Sequence, residues 1–288
     1  MIDTIQIRPL QLDDADHLQN MQTGIEDDYV VRIFDRLIES DEHALYGLFT
    51  EGQLVSVAGY SVFKDQYAML GRLRSDQRFL GNGYATTLIE SIVDYLQKDD
   101  QIKWIGANTQ LHNFPALRVL EKLRIPKLQL LHAATLFNRE LLTTPEGETW
   151  KPLNTLEEKR KWINPLIQDS DAIFPLEAYY PFPTSEALFS DEDINDWFMF
   201  ENESRDRFVI VKFDQKRHQY AHVIYLWDDL FDQPGLWNTL DETLVDFKET
   251  FGDETYIRLD VPDETYEKIP NKDAFEFQDP WILHGYWK

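Results

Sequence analysis

The stretch Arg78-Phe79-Leu80-Gly81-Asn82-Gly83-Tyr84-Ala85 is the part of the chain best equipped for chemistry. A Gly-x-Gly set between a strand and a helix lets the backbone turn tightly and present several N–H groups together. With the positive end of the helix dipole, these groups make an anion site. The same spacing also serves as a plain glycine turn that starts a helix, and the motif alone does not separate the two. Residues 173–183, IFPLEAYYPFP, place aromatic faces beside Glu177, which suits a cationic amine; packing is the other reading. Residues 281–287, WILHGYW, read as a last strand, with Lys288 after it. Docked on the first half, that strand would offer His284 or the carboxylate of Lys288 as a base.

Other constellations carry less. Asp191, Asp193 and Asn195 begin like a calcium loop, but Asp196 stands where glycine is needed and Asn202 where glutamate is needed. They read as acids at a helix N-terminus. His218 and His222 are four apart, near or on a strand rather than on a Glu-rich helix, so no zinc site is expected. The absence of cysteine removes disulfides, thiolate metal sites and cysteine nucleophiles. No metal is expected, and neither a P-loop nor a Gly-x-Ser-x-Gly elbow occurs.

The elements that must position the glycine loop follow from periodicity. Residues 5–9 alternate as a strand; residues 12–21 and 29–40 have helical spacing. Residues 44–50, 54–63 and 67–73 read as three strands, the first two joined across Glu51-Gly52-Gln53. After the loop come an amphipathic helix with Leu88, Ile89, Ile92 and Leu96, a strand at 102–108, a helix at 114–123 and a strand at 128–137. Hairpins followed by βαβ crossovers predict an α/β fold: a mixed central sheet with helices on both faces. Thr143 to Glu148 is polar and broken by Pro145 and Gly147, which places a domain boundary between residues 1–144 and 145–288. The second half predicts a smaller α/β domain with a helix at 156–167, strands at 207–213 and 220–227, a helix at 236–251 closed by Gly252, and a strand at 255–261. Residues 173–183 are too proline-rich for a regular helix or a central strand. The segments IESIVDYLQKDDQIKWIGA and LDETLVDFKETFGDETYIRLD echo one another, as duplicated halves would.

The 288 residues hold 28 Lys+Arg against 52 Asp+Glu, a formal charge of −24. Residues 1–144 carry −6 and residues 145–288 carry −18, while residues 101–144 alone carry +4. Such acidity repels phosphate backbones and draws cations, so nucleic acid is not an expected partner and a cationic amine is. With 18 Phe, 13 Tyr and 8 Trp the chain is too aromatic to be disordered. No apolar run reaches the ~20 residues that span a bilayer, and Met1-Ile2-Asp3-Thr4 does not read as a secretory start. No membrane partner and a cytoplasmic location are therefore expected; the oligomeric state is not legible.

The R-x-x-G-x-G spacing resembles the pyrophosphate loop of the GCN5-related N-acetyltransferases (GNAT). So does Asn113-Phe114-Pro115-Ala116-Leu117-Arg118-Val119-Leu120-Glu121-Lys122-Leu123, set about thirty residues on, and the opening IRPLQLDDADHL. The likeness covers residues 4–140 in order. It implies an acyl-CoA N-acyltransferase type of sheet, acetyl-CoA as co-substrate, and a small-molecule or peptide amine as acceptor that attacks the thioester directly in a ternary complex. It implies that the amides of Leu80, Gly81, Asn82, Gly83, Tyr84 and Ala85, with Arg78 and Phe79 leading in, hold the pyrophosphate. Leu73, Arg74 and Ser75 would flank the pantetheine arm, with Asn113 opposite. Lys103, Arg118 and Lys122 would be bases for the 3′-phosphate. The chain departs from the pattern where many relatives carry a tyrosine acid, since Leu120 stands there, and Arg124-Ile125 replaces Gly-Phe. The strand MLGRLR has no carboxylate base. Tyr84 is the one substitute acid on offer, and a GNAT fold that binds without catalysis is the alternative function. The second half would be a degenerate copy without a cofactor loop.

Overall fold

The computed structural model describes residues 5–169, 172–216 and 218–288. Residues 1–4, and with them the sequence reading of the N-terminal tetrapeptide, lie outside this set. Contacts divide the chain into two compact units, Met1–Leu128 with Leu283–Lys288, and Gln129–Ile282. The sequence reading divides it once, at 144/145. No helix among the described residues is long and apolar enough to cross a membrane.

The first unit is a mixed sheet between helices. Strand β1 (Ile5–Pro9) leads through a short turn to α1 (Ala15–Gln19), α2 (Tyr29–Arg32) and α3 (Phe34–Glu39). The single helix expected at 29–40 is broken at Ile33, whose φ of −111° and ψ of 19° leave the helical region. Then come β2 (His43–Thr50), β3 (Gln53–Phe63), β4 (Tyr67–Ser75), α4 (Tyr84–Gln97), β5 (Trp104–Gln110) and α5 (Phe114–Lys122). Strands β1 to β4 pair antiparallel in order, and β4 pairs β5 in parallel through the α4 crossover. The chain's last strand takes the next place beside β5. Side chains alternate between two cores. Leu48, Ala58, Ala68 and Leu70 meet Leu88 and Ile92 of α4. Leu45, Phe49 and Val57 meet Leu18, Val30 and Leu37 of α1–α3 on the other face.

The second unit has its own mixed sheet and is the longer of the two. Strand β6 (Lys127–Leu136) enters it, followed by β7 (Lys151–Pro152) and α6 (Leu156–Ile167). Strands β8 (Ile173–Glu177) and β9 (Tyr180–Pro183) form a separate hairpin, the shape the proline-rich segment takes. After α7 (Asp191–Asp196) come β10 (Phe198–Glu201), β11 (Phe208–Gln215), β12 (Gln219–Ile224), α8 (Leu236–Phe251), β13 (Thr255–Pro262), α9 (Asp263–Glu267) and β14 (Phe275–Phe277). The last strand, β15 (Trp281–Trp287), closes the chain. Strands β10, β11 and β12 run antiparallel, and α8 crosses to a parallel β13. This is the plan of β2–β3–β4–α4–β5 in the first unit.

Candidate functional site

Strands β4 and β5 pair only from Tyr67↔Trp104 to Leu70↔Ala107, yet β4 runs on to Ser75 and β5 to Gln110. Past Leu70 the edge of β4 that faced β5 is therefore unpaired. Its other edge stays with β3, where Val57↔Arg74 and Ser56↔Ser75 are partners. Between Gly71 and Arg74 the register slips: Arg72 and Leu73 together oppose Ala58, and Arg72 sits at φ 58°. Such a bulge bends the strand and sharpens its twist. The Ser56 hydroxyl donates to the Arg74 carbonyl at 3.0 Å, fixing the far side of the bulge.

The glycine loop follows directly. Gly81 and Gly83 have φ of 88° and 80°, values that L side chains rarely adopt, and a Cβ built on either meets nothing within 4 Å. Gly83 caps α4, whose first backbone bond runs from the Thr87 amide to the Gly83 carbonyl at 3.0 Å. The amides of Tyr84, Ala85 and Thr86 thus precede the first donor of the helix ladder, Thr87. Leu80 is exposed, and Asn82 turns its Nδ2 back to the Phe79 carbonyl at 3.0 Å. Phe79, Tyr84, Ala85 and Leu73 pack against the α4 core. Tyr84 thus lies beside the loop as a packing residue.

Two aspartates that sequence reasoning missed hold the arginines of this region. Asp76 is fully buried; it accepts from the Gln22 and Arg78 amides at 3.2 and 2.9 Å and from Arg78 Nε and Nη2 at 2.9 and 2.6 Å. The Arg78 guanidinium, more than burial can oppose, holds the Asp76 carboxyl down to about 2. Asp28 caps α2 and takes Arg74 bidentately at 2.6 and 2.8 Å. Burial pushes Asp28 up, but Arg74 and the Val30 amide outweigh it and leave the carboxyl below its usual range. Asp76 is legible in hindsight as a local Asp-x-Arg turn. Asp28 carries no such signal, being 46 residues from its partner.

Asn113 caps α5: its Oδ1 accepts from the Ala116 amide at 3.4 Å and its Nδ2 donates to Thr109 Oγ1 at 3.2 Å. It stands at the end where β5 runs past its pairing. Leu120, buried among Leu88, Ile92 and Ile125, is core and cannot donate a proton. Arg118 and Lys122 are exposed on α5. Lys103 is different. Its amide bonds the carbonyl of Gln66 just before β4, the far end of that strand from Gly81–Gly83. The last strand does dock on the first unit. Its terminus, however, is tied to Lys103 and, through Lys288 Nζ, to the Leu96 and Asp99 carbonyls at the C-terminal end of α4. A 14-residue helix is ~21 Å long, so the Lys288 carboxylate is remote from the loop. The His284 Nδ1 contacts the Ile125 carbonyl at 3.2 Å. A groove of about 410 Å³ runs along Glu90, Asp94 and Gln97 toward Tyr286, on the same remote half of α4.

In the second unit the matching turn is filled. Gly235 caps α8 at φ 73°, but a Cβ there would lie 1.9 Å from the Glu148 carbonyl oxygen. Trp150 donates from Nε1 to Pro234 and from its amide to Thr239 Oγ1, at 2.9 and 2.7 Å. The chain's own residues 145–150 thus occupy the space that is open at Gly81 and Gly83. Asp191–Asp196 is a short helix capped by Ser190, as its acids imply. His222 is fully buried on β12 and faces Asp260, whereas His218 lies in the turn before that strand. No group of three or more metal-ligating side chains occurs among the described residues.

Residues 10–124 match the model of the acetyltransferase (GNAT) family. No curated protein sequence gives a match. Among solved structures, a GCN5-related N-acetyltransferase from Sphaerobacter thermophilus aligns with a TM-score of 0.56 at 12% identity, over 98% of this chain and 95% of its own. A Thermoplasma acidophilum protein assigned to the acetyltransferases aligns at 0.51 and 14%, over 97% and 91%. One from Pyrococcus horikoshii aligns at 0.52 and 9%, over 99% and 89%. At these identities the shared property is the fold.

Proposed function

We propose, from the GNAT domain that residues 10–124 form, that the chain is an N-acetyltransferase passing the acetyl group of acetyl-CoA to a primary amine. The observation that carries this reading is the open glycine loop at the start of α4, beside an unpaired β4 edge. The two fit the two chemistries of the donor. Free amides and the helix dipole of Gly81 to Thr86 suit a pyrophosphate, and the bare edge of Leu73 to Ser75 suits the amides of a pantetheine arm, as an added strand. Asn113 borders the same opening from α5. Arg78 acts as a brace, since Asp76 already holds its guanidinium.

The neutral amine nitrogen attacks the thioester carbonyl, the C–N bond forms, the nitrogen passes one proton to water, and the C–S bond breaks to release the CoA thiolate, without an acyl-enzyme. Leu120 supplies no proton to that thiolate. None is required at neutral to basic pH, because a thiol of pKa ~8.5 leaves readily as its anion. Positioning and backbone stabilisation of the oxyanion then carry the rate. The acidic surface gathers protonated amines, which must lose a proton before attack. Only the first unit takes the donor; the second is a degenerate copy whose loop its own chain fills.

Thiol release from acetyl-CoA, read over a panel of amines, tests this. The protein has no cysteine, so every thiol detected belongs to CoA. Amine-dependent release is expected. Its rate should climb from pH 7 to 9 with no falling limb, because no side-chain acid has to stay protonated. Absence of release with every amine, at donor concentrations that saturate binding, would overturn the reading.

A further inference from the structure

In a chain with 52 acids, an arginine held out of solvent finds a carboxylate with ease. Six of the buried or half-buried arginines do: Arg8, Arg74, Arg139, Arg160, Arg207 and Arg258 each salt-bridge an aspartate. Arg72 is half-buried and, among the described residues, has no carboxylate partner. Its Nη2 donates to Ser61 Oγ at 2.8 Å, and its Nε is buried with no partner at all. A buried donor left unpaired forfeits its hydration without a return, so its placement needs a reason.

The setting supplies one. Arg72 is the bulge residue of β4, held at φ 58°, two positions past the last β4–β5 pair. Strain of this kind gathers at binding sites. Ser61 pairs with His43 in the β2–β3 register, so both side chains lie on one face of the sheet. That face is opposite α4, against which Tyr60, Val62 and Leu73 pack. The His43 Nδ1 is also buried without a partner. Burial and the charge of Arg72 hold its ring below the usual pKa, so it stays uncharged and leaves Arg72 as the cation.

We propose that Arg72, with Ser61 and His43 beside it, binds a carboxylate of the acceptor, and that the acceptor is an amino acid or a similar zwitterion. A carboxylate fits a guanidinium edge with two parallel N–H bonds. It would sit where β4 and β5 part, with the amine of the same molecule turned to the thioester. This rests on the transfer reading above for its role, though not for its binding.

The test is a titration of the 15N-labelled protein, with and without acetyl-CoA, followed through the arginine Nε–H signals. Arg72→Lys assigns the Arg72 signal by its disappearance. The probes are L-amino acids with apolar, polar, acidic and basic side chains, each matched to the amine left by its decarboxylation. The expected result is a saturable shift of the Arg72 signal with at least one amino acid and none with its matched amine. Where transfer is measurable, kcat/KM should favour that amino acid at least tenfold, and Arg72→Gln should bring the ratio near one while acetyl-CoA binding is unchanged. A signal blind to every carboxylate, or equally moved by the amines, would overturn the inference. If amino acids bind and acetyl-CoA does not, the transfer reading fails and the site stands.

Discussion

Removing the Asp76 carboxylate strips four hydrogen bonds at once, two from amides and two from Arg78. Asp76→Ala leaves those amides unpaired in a fully buried site, and the expected loss is about 1–3 kcal/mol in urea unfolding, with weaker acetyl-CoA binding from a loosened loop. The second unit holds a heavier electrostatic load. Arg258, fully buried between the Tyr179 and Tyr220 rings, meets Asp260 at 2.8 Å, and His222 Nε2 lies 3.0 Å from the same carboxylate. Burial raises Asp260, but Arg258 and His222 override it to about 2; burial holds His222 below its usual pKa. Both groups have folded pKa values under their unfolded ones, so the unfolded chain binds more protons and stability falls as pH drops. The loss begins near pH 6.5 with His222 and deepens below ~3.9 with Asp260. His43 and His284, also held low by burial, share the first part of that decline, so His222→Gln should shrink it without removing it in urea midpoints measured from pH 8 to 4; an unchanged decline would acquit His222. At this scale the sequence made the glycine loop, Asn113 and Leu120 legible, because each is a local pattern. It hid Asp28 and the unpaired Nε of Arg72, because those depend on which strands and helices meet.

The last strand shows what an element can and cannot reveal from its own residues. The alternation of residues 281–287 marks a strand, and β15 is one. Its position beside β5 rests on details of fit. Gly285 and Gly106 leave room for the Trp104 ring, which a Cβ at either would strike at 2.1 or 2.0 Å, and Trp287 meets Tyr67 at 5.5 Å. Deleting residues 284–288 bares the edge of β5 and uncovers Trp104 and Tyr67. The expected result is a first unit that aggregates or melts well below the intact chain, since each fully buried large side chain is worth ~1.5–3 kcal/mol. Unchanged melting with intact solubility would contradict this placement. The short strands β7, β10 and β14 were not legible, because two to four residues are too few to show an alternation. The long, periodic α4, α6 and α8 were.

Across the whole molecule, two units of similar topology differ in one decisive respect. At Gly81 and Gly83 the turn before the crossover helix is open, while at Gly235 the chain's residues 147 and 148 fill it. The sequence suggests the likeness through its echoing segments, and the difference only through the lack of a second Gly-x-Gly. Filling of that second turn depends on Trp150 anchoring a stretch that composition alone marks as a linker. Calorimetric titration with acetyl-CoA tests the central claim, that the first loop alone is the donor site. One acetyl-CoA per chain at micromolar strength is expected. Gly81→Glu, which adds a charge and a side chain at φ 88°, should weaken binding at least a hundredfold while circular dichroism stays native. Two molecules bound per chain, or full affinity in the folded Gly81→Glu protein, would contradict the account.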